Sequence, residues 1–532
     1  MLASDQLLPQ LIARGAREYP DRPYLREIGA GTRTYAEVHE AAMRWAGALR
    51  HAGVGSGDHV LVMLPVCGTA VEAWMGIAWL GAVEVPVNIS YRGRMLEYIV
   101  SDSASVVVVA HARYLDRLEE LSPGTLDAVD TLVVHGGAGA RPDVPCRVVA
   151  VDEFLAEAGT AAEPPAEPGY TDIASIIYTS GTTGASKGVL VPWAQAHATT
   201  VGSVPLDDLT GADVYYSPFP LFHISGKFPL YLMALLGSSV VIRDAFDTKA
   251  FWEDIERHGC TTTLLLGAMA NFIHRQPPRA GERDTPLANV IMVPLIDEVG
   301  AFRERFGVRV CTVFNMTEVS SPIASGGWEP ANSQTCGRAR PGYRCRVADE
   351  HDEPLPPGEV GELLIRTEEP WRLMAGYWGK PEQTARAWRN QWLHTGDAFT
   401  IDEDGNFYFV DRLKDAIRRR GENVSSMEVE ADVNRHPAVL ESAAIAVPSD
   451  WGEDEVKVVV VLKEGASLAP EELIEFLMER MPHFMVPRYV ELAAALPKTE
   501  TQKIRKEELR VAGITDATWD RVAAGITVRR SA

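Results

Sequence analysis

At 532 residues, 46% of them hydrophobic, the chain is too long for one core and has ample apolar material for two or more domains. A net charge of −22, from 51 basic and 73 acidic side chains, argues against broad binding to nucleic acid or to an anionic membrane, so an anionic ligand must be held by a local site. The six cysteines show no CxxC pair and no metal-ligand spacing, and are expected to be reduced thiols, mostly buried. Residues 1–21 lack the continuous hydrophobic segment of a signal peptide, and no apolar run reaches the roughly 20 residues of a membrane span. The expected compartment is the cytoplasm.

Thr34 followed by Glu37 forms a capping box, and Val38, Ala41, Ala42, Trp45 and Leu49 recur on one helical face until Gly53. Residues 59–65 read as a buried strand, 70–80 as a helix, and 83–88 as a second strand; another strand ends at 105–110. This alternation predicts an α/β fold with parallel-rich sheets. The HGGAG run at 135–139 has no GxSxG partner anywhere and reads as a surface turn. Residues 156–169, rich in Ala, Glu and Pro, form a solvated connector.

The densest signal follows. Ala174 to Ile177 end a buried strand, and residues 178–188, YTSGTTGASKG, then leave the sheet edge. Gly181, Gly184 and Gly188 allow close backbone approach, while Thr179, Ser180, Thr182, Thr183 and Ser186 add hydroxyl donors and Lys187 a cation. Such a loop suits phosphate, although it is not a Walker sequence. His223 ends an apolar run ahead of Gly226; a lone His is more often a core or surface residue. Residues 308–318 are β-rich and stop abruptly at Asn315-Met316-Thr317-Glu318, which puts Thr317 and Glu318 at a strand's end, where open α/β sheets bind ligands. Asp397 stands behind a Gly turn in WLHTGD, and Asp404-Gly405 marks a hairpin turn ahead of Arg412. A basic cluster precedes Gly421, strands are expected at 442–448 and 455–462, and a helix at 470–481. A polar segment, 497–506, carries Lys503.

The loop at 178–188 closely resembles the phosphate loop of adenylate-forming (AMP-binding) enzymes, and four further motifs follow in that superfamily's order. The look is that of the acyl-CoA synthetases, nearest the carnitine/crotonobetaine-CoA ligase-like branch. The resemblance implies a large ATP- and acyl-binding domain over residues 1–412 and a small mobile α+β domain over 413–532, hinged at Lys414. It implies that Thr179, Ser180, Gly181, Thr182, Thr183, Gly184 and Lys187 bind phosphate. Phe314, Asn315 and Met316 would lie against the nucleotide, with Phe314 stacked on adenine. Thr317 would bond the phosphate, Glu318 hold Mg²⁺, Asp397 and Arg412 hold the ribose, and His223 sit beside the acyl carboxylate. Lys503 would be the catalytic lysine, and Arg418 and Gly421 would line a thiol tunnel. Asn315 and Gln502 each replace a glycine of the family pattern, and residues 292–295, MVPL, stand where most relatives have a glycine-rich turn.

The implied reaction is ATP-dependent ligation of a carboxylic acid to CoA through an acyl adenylate. Transfer to a carrier-protein thiol or an amine stays open, as does a catalytically silent homologue, against which the joint presence of Lys503, Glu318, Asp397 and Arg412 argues. The expected partners are the acid, ATP and CoA, with a homodimer left open. Ser225 and Lys227 suggest a polar rather than long-chain acid, and Lys227 would repel a quaternary ammonium.

Overall fold

The computed structural model describes residues 4–137, 139, 142–157, 167–179, 186–412, 417–419, 422–448, 454–478, 480–481, 485–499 and 503–528, and only the backbone of Ser4, Arg412, Arg418, Glu422 and Asn423. All statements of absence below refer to these residues. The chain divides into two compact units. The first holds Met1–Cys345, Leu364–His394 and Asp402–Tyr408; the second holds Arg346–Leu363, Thr395–Ile401 and Phe409–Ala532.

The first unit follows the strand–helix alternation. Its helix Tyr35–His51 starts at the capping box, with Glu37 N–H donating to Thr34 Oγ1 at 3.2 Å and Thr34 N–H to Glu37 Oε2 at 2.7 Å. Val38, Ala41, Ala42, Trp45 and Leu49 are all buried, as the periodicity requires. The helix Gly68–Trp79 has no polar stripe because nearly every residue of it is buried.

Two large parallel-rich sheets result, beside a third, seven-stranded sheet that begins with Val313–Met316 and Ser320–Ala324. One runs Arg309–Cys311, Asn289–Val293, Thr262–Leu266, Val214–Ser217, Ser239–Ile242, Pro23–Glu27 and Gly31–Thr34, all parallel except the last pair. The other runs Gly376–Tyr377, Lys187–Pro192, Ile173–Thr179, Val83–Pro86, His59–Met63, Val107–His111, Thr131–His135 and Arg147–Ala150. Its first two pairings are antiparallel and the rest parallel. The loop-bearing strand Ile173–Thr179 is therefore internal, not at the sheet edge. The β-rich run at 308–318 also splits. Arg309–Cys311 joins the parallel sheet, and Val313–Met316 turns away to pair antiparallel with Ser320–Ala324.

In the second unit, Val439–Pro448, Asp454–Leu462, Tyr489–Leu492 and Trp519–Asp520 form a four-stranded sheet. The helices Ser426–Asn434 and Pro470–Met478 supply Val429, Val433, Leu473, Ile474 and Leu477 to one core with Val456, Val458 and Val460. Cys67, Cys260 and Cys311 are buried and the other three cysteines partly so; none of the six forms a disulfide. Burial pushes the Cys67 and Cys260 thiols up to about 12, the range of inert structural thiols.

Candidate active site

The frame of the phosphate loop is a hairpin. Thr179 and Lys187 face each other across the antiparallel pair Ile173–Thr179 and Lys187–Pro192, the two strands that flank the loop in the chain. Ser180, Gly181, Thr182, Thr183 and Gly184 lie outside the described residues. The hairpin's base is braced. Tyr178 Oη donates to Asp102 Oδ2 at 2.8 Å, Lys380 Nζ donates to Asp102 Oδ1 at 2.8 Å, and Trp378 Nε1 donates to the Asp102 carbonyl at 2.8 Å. Burial, then Asp102 itself, raises the Tyr178 phenol well above its ordinary value, so it stays a donor.

Thr317 and Glu318 occupy the tight turn between Val313–Met316 and Ser320–Ala324, where Val319 N–H bonds the Met316 carbonyl at 3.2 Å and Ser320 has φ 59°. The turn is held at both residues. Gln195 Nε2 donates to the Thr317 carbonyl at 2.6 Å, and Met374 N–H donates to the Glu318 carbonyl at 2.9 Å. The Glu318 carboxylate, only 9% exposed, accepts the Tyr377 hydroxyl at 3.1 Å. Tyr377 pairs with Val189 on the loop hairpin, and Lys187 Nζ stands 4.7 Å from the Tyr377 ring centroid. Lys187 and Glu318 thus meet one tyrosine, with Thr179 paired to Lys187 across the hairpin and Thr317 next to Glu318 in the chain. Phe314 is buried, while Asn315 and Met316 are partly exposed on the same hairpin.

His223 immediately precedes the helix Ile224–Leu236, its ring 4.7 Å from that of Phe222. The chain doubles back tightly there. A Cβ at Gly226 would stand 2.3 Å from the Pro220 carbonyl oxygen, so only glycine fits. One residue on, Lys227 is 3% exposed and its Nζ lies 2.6 Å from Glu84 Oε2. Ser175 Oγ donates to the same oxygen at 2.6 Å, and Lys227 Nζ is 3.6 Å from a Trp74 ring centroid. The expected repulsion of a quaternary ammonium by Lys227 is corrected accordingly: its charge is matched by Glu84. Deleting either partner leaves a buried, uncompensated charge at a cost of about 3–5 kcal/mol.

Other expected residues lie in the second unit. Gly396 adopts φ 72°, a left-handed conformation that suits glycine, within Leu393–Ile401. Its N–H donates to Glu362 Oε1 at 2.9 Å, and Thr395 Oγ1 donates to the Leu363 carbonyl at 2.7 Å while accepting Asp397 N–H at 3.1 Å, which fixes buried Asp397. Arg412 ends the strand Asn406–Arg412, and Arg418 belongs to Ile417–Arg419. Lys414 and Gly421 lie outside the described residues. Lys503 is exposed and closes a small backbone loop, its carbonyl accepting Thr499 N–H at 2.8 Å and its N–H donating to Thr499 Oγ1 at 3.1 Å.

Comparison with known proteins decides the class. The profile of the AMP-binding enzymes matches residues 12–378, and that of the AMP-binding enzyme C-terminal domain matches residues 428–503. The chain belongs to the AMP-binding enzyme family. Crotonobetaine/carnitine–CoA ligase of Salmonella paratyphi A is 31% identical over 485 residues, covering 90% of this chain and 93% of the relative. The ligase of that name from Salmonella typhi is 30% identical over 488 residues, with the same coverage. Among solved structures, ATP-bound MatB from Rhodopseudomonas palustris superposes with a TM-score of 0.82 at 25% identity, covering 95% of this chain and 98% of its own. The anthranilate CoA ligase AuaEII, solved with anthranoyl-AMP, gives a TM-score of 0.84 at 23% identity, covering 99% of this chain and 100% of its own. The fold is therefore that of adenylate-forming enzymes, and the chain is an AMP-forming acyl-CoA ligase by class, working with ATP, Mg²⁺ and CoA.

In this AMP-binding enzyme the donor set suits a metal that arrives with its nucleotide. No described cluster of three or more His, Cys, Asp or Glu could hold a metal by itself. Glu318, a single buried carboxylate, would suit Mg²⁺ if a nucleotide supplied the remaining oxygens. The sequence reading missed Tyr377, Gln195, Asp102 and Glu84. None belongs to a recognisable run: Tyr377 lies in a strand of two residues, and Glu84 is one polar residue in an otherwise apolar strand. No helix of the described chain is long and apolar enough to cross a membrane.

Proposed function

We propose that this enzyme joins a short, polar carboxylic acid to CoA in two half-reactions. The acid's carboxylate attacks the α-phosphorus of ATP and expels pyrophosphate; the CoA thiol then attacks the acyl carbonyl and expels AMP. Both halves depend on charge compensation more than on covalent help. The observation that carries the reading is the meeting of Lys187 and Glu318 at Tyr377, because it sets a cation and a carboxylate at the base of the hairpin that carries the loop. Thr179, Lys187 and residues 180–184 hold the triphosphate, Phe314, Asn315 and Met316 the base, and Asp397 and Arg412 the ribose. Glu318 would hold Mg²⁺, which supplies compensation for phosphate charge.

In the same proposal Lys503 stabilises charge developing on the α-phosphoryl group, and His223 adjoins the acyl carboxylate. Lys503, in this proposal, blocks the thiol during the first half-reaction. Rotation of residues 413–532 about Lys414 would exchange Lys503 for the segment holding Arg418 and Gly421 and open a path for CoA. A polar acid is favoured by the relatives' names rather than by Lys227, whose charge is matched by Glu84. The relatives named for crotonobetaine and carnitine are consistent with a small polar acid, and a cytoplasmic location suits a consumer of ATP and CoA. A carrier-protein acceptor and a homodimer remain secondary readings.

The test is pyrophosphate release over a panel of acids, with and without CoA. A short or aromatic polar acid is expected to exceed palmitate in kcat/KM by at least about tenfold, or ~1.4 kcal/mol. Adenylation without consumption of free CoA would move the acceptor to a carrier protein or an amine, and palmitate as the better acid would overturn the substrate class.

A further inference from the structure

Lys503 stands between two other lysines whose charges are matched. The stretches 497–499 and 503–505 lie side by side: Thr499 N–H donates to the Lys503 carbonyl at 2.8 Å, Lys498 forms a β-bridge with Ile504, and Arg505 N–H donates to the Pro497 carbonyl at 2.8 Å. Lys498, before Lys503, pairs with Glu441 of the strand Val439–Pro448, and Lys506, after it, pairs with Glu430 of the helix Ser426–Asn434 at 2.8 Å. Their burial differs. The Lys498 and Glu441 side chains are 28% and 25% exposed, those of Lys506 and Glu430 only 12% and 14%. The first pair is screened by water, whereas breaking the second strands a buried charge.

The Lys506 anchor reaches the body of its unit. Glu430 Oε1, the oxygen that Lys506 Nζ meets, also accepts Ala444 N–H at 2.7 Å, so one atom joins helix, sheet and lysine. Lys506 Nζ donates as well to Ser426 Oγ, which itself donates to Asp411 Oδ2 at 2.6 Å. Burial raises the Glu430 carboxyl against the pull of Lys506, so losing the ammonium would raise it further. Between the lysines, Ile504 packs on Ala443, Val459 and Leu496, a contact that holds without fixing a direction. The ammonium supplies direction, since its donors must point at their acceptors. Lys506 also opens the helix Lys506–Ala512, and at most roughly 11 Å of chain separates it from the exposed Lys503. The Glu430 link lies wholly within residues 413–532, so it travels with Lys503 through the proposed rotation.

We propose that Lys506 is a positioning residue of the adenylation half-reaction: through Glu430 it holds residues 503–505 so that Lys503 meets the α-phosphoryl group in a fixed place. This rests on the ligase reading above, in which Lys503 serves the first half-reaction.

The experiment uses the full chain as wild type, Lys506→Met, Lys506→Arg, Lys503→Ala and the double variant Lys503→Ala/Lys506→Met. Pyrophosphate release with the acid that ranks first in the panel reads the first half-reaction, and thioester formation from that acid's pre-made adenylate and CoA reads the second. Lys506→Met should slow the first by at least about tenfold and leave the second within about twofold, because a displacement near an ångström is enough for such a loss. Lys506→Arg keeps a cation for Glu430 and should stay within about threefold of the wild type. On the Lys503→Ala background the Met substitution should cost less than about twofold more, as no ammonium is left to place. Equal slowing of both half-reactions, or the full extra loss in the double variant, makes Lys506 merely structural and overturns the proposal with the ligase reading intact. Amide hydrogen exchange needs no acid: the Thr499, Lys503 and Arg505 N–H groups should exchange at least about tenfold faster in Lys506→Met, and unchanged exchange rejects the anchor. If Lys506→Met does not fold, Glu430→Gln, which removes the charge and keeps an acceptor for Ala444, takes its place with the same expectations. Absence of release with every acid of the panel counts against the ligase reading, and the exchange rates then still decide whether Lys506 holds the segment.

Discussion

The loop hairpin in the first unit and the lysine segment in the second are built in opposite ways. Around the hairpin, Asp102 collects Tyr178, Lys380 and Trp378, and Tyr377 and Gln195 hold the turn at Thr317 and Glu318. Lys503 instead sits exposed on a loop whose backbone is pinned by Thr499, with the Lys498–Ile504 bridge beside it. The difference has a chemical sense. Groups that bind the nucleotide throughout the cycle gain from preorganisation, because fixed dipoles cost no reorganisation when charge develops. In the proposed function Lys503 serves only one half-reaction and has to leave, and deep packing would hold it in place.

The largest effect that can break this contrast is expected at Lys503. Lys503→Ala should lower adenylate formation by roughly 10²–10³, or about 3–4 kcal/mol, yet leave thioester formation from a pre-made acyl adenylate largely intact. Measuring both half-reactions checks it; an equal loss in the two would show that Lys503 is not confined to the first.

Acid sharpens the comparison from the other side. His197, on the helix Trp193–Gly202 of the first unit, is held down to about 4 by burial, then by Arg372 and Arg340. A histidine with a depressed pKa stays neutral in the folded chain while the unfolded chain takes up the proton. Stability is therefore full above pH 6.5 and falls as the pH drops from 6.5 to about 4, by at most about 3 kcal/mol from this group. Urea midpoints at pH 7 and 4.5 should fall less for His197→Gln than for the wild type; identical drops would remove His197 from the acid response.

How much of this could be read from the sequence follows from where the determinants lie. The capping box at Thr34 and Glu37, the phosphate-loop run and the Gly396 turn are local: neighbouring residues carry them, so the chain spells them out. The division of residues 308–318 between two sheets was not legible, because an apolar β-run looks the same whichever sheet receives it. Glu84 and Lys227 are separated by 143 positions and Gln195 and Thr317 by 122, so their pairing exists only after the sheets form. Lys227 could be suspected from its place after His223, but its partner could not.

A smaller loss, in the second half-reaction, is expected where the resemblance alone carries the assignment. Gly421→Trp or Lys414→Pro should leave pyrophosphate release near the wild-type rate and slow the thiol step by about tenfold or more, since under the proposed function tunnel and hinge act only after rotation. Stopped-flow CoA consumption separates the two steps. Unchanged thioester rates would mean that the mobile domain turns elsewhere.

The smallest effect is expected within the braced region, at the tyrosine that sequence reading passed over. Tyr377 touches both Lys187 and Glu318, and burial followed by the Glu318 charge raises its phenol well above the ordinary value, so it acts as a neutral donor throughout the working pH range. Its hydrogen bond orients the carboxylate without taking part in bond making. Tyr377→Phe removes that donor and keeps the ring on which Lys187 Nζ rests. Backbone contacts from Gln195 and Met374 still fix the turn, so the loss should stay near the lower end of the ~1.5–3 kcal/mol for a hydrogen bond to a charged group, roughly tenfold in kcat/KM for adenylation. The Mg²⁺ concentration for half-maximal rate should rise with it, since a loosened Glu318 carboxylate is a poorer ligand, while the thiol step keeps its rate. If the Mg²⁺ requirement stays fixed while activity falls, the tyrosine only packs. If Tyr377→Phe proves as damaging as Lys503→Ala, the braced region depends on one contact and the contrast with the exposed lysine fails.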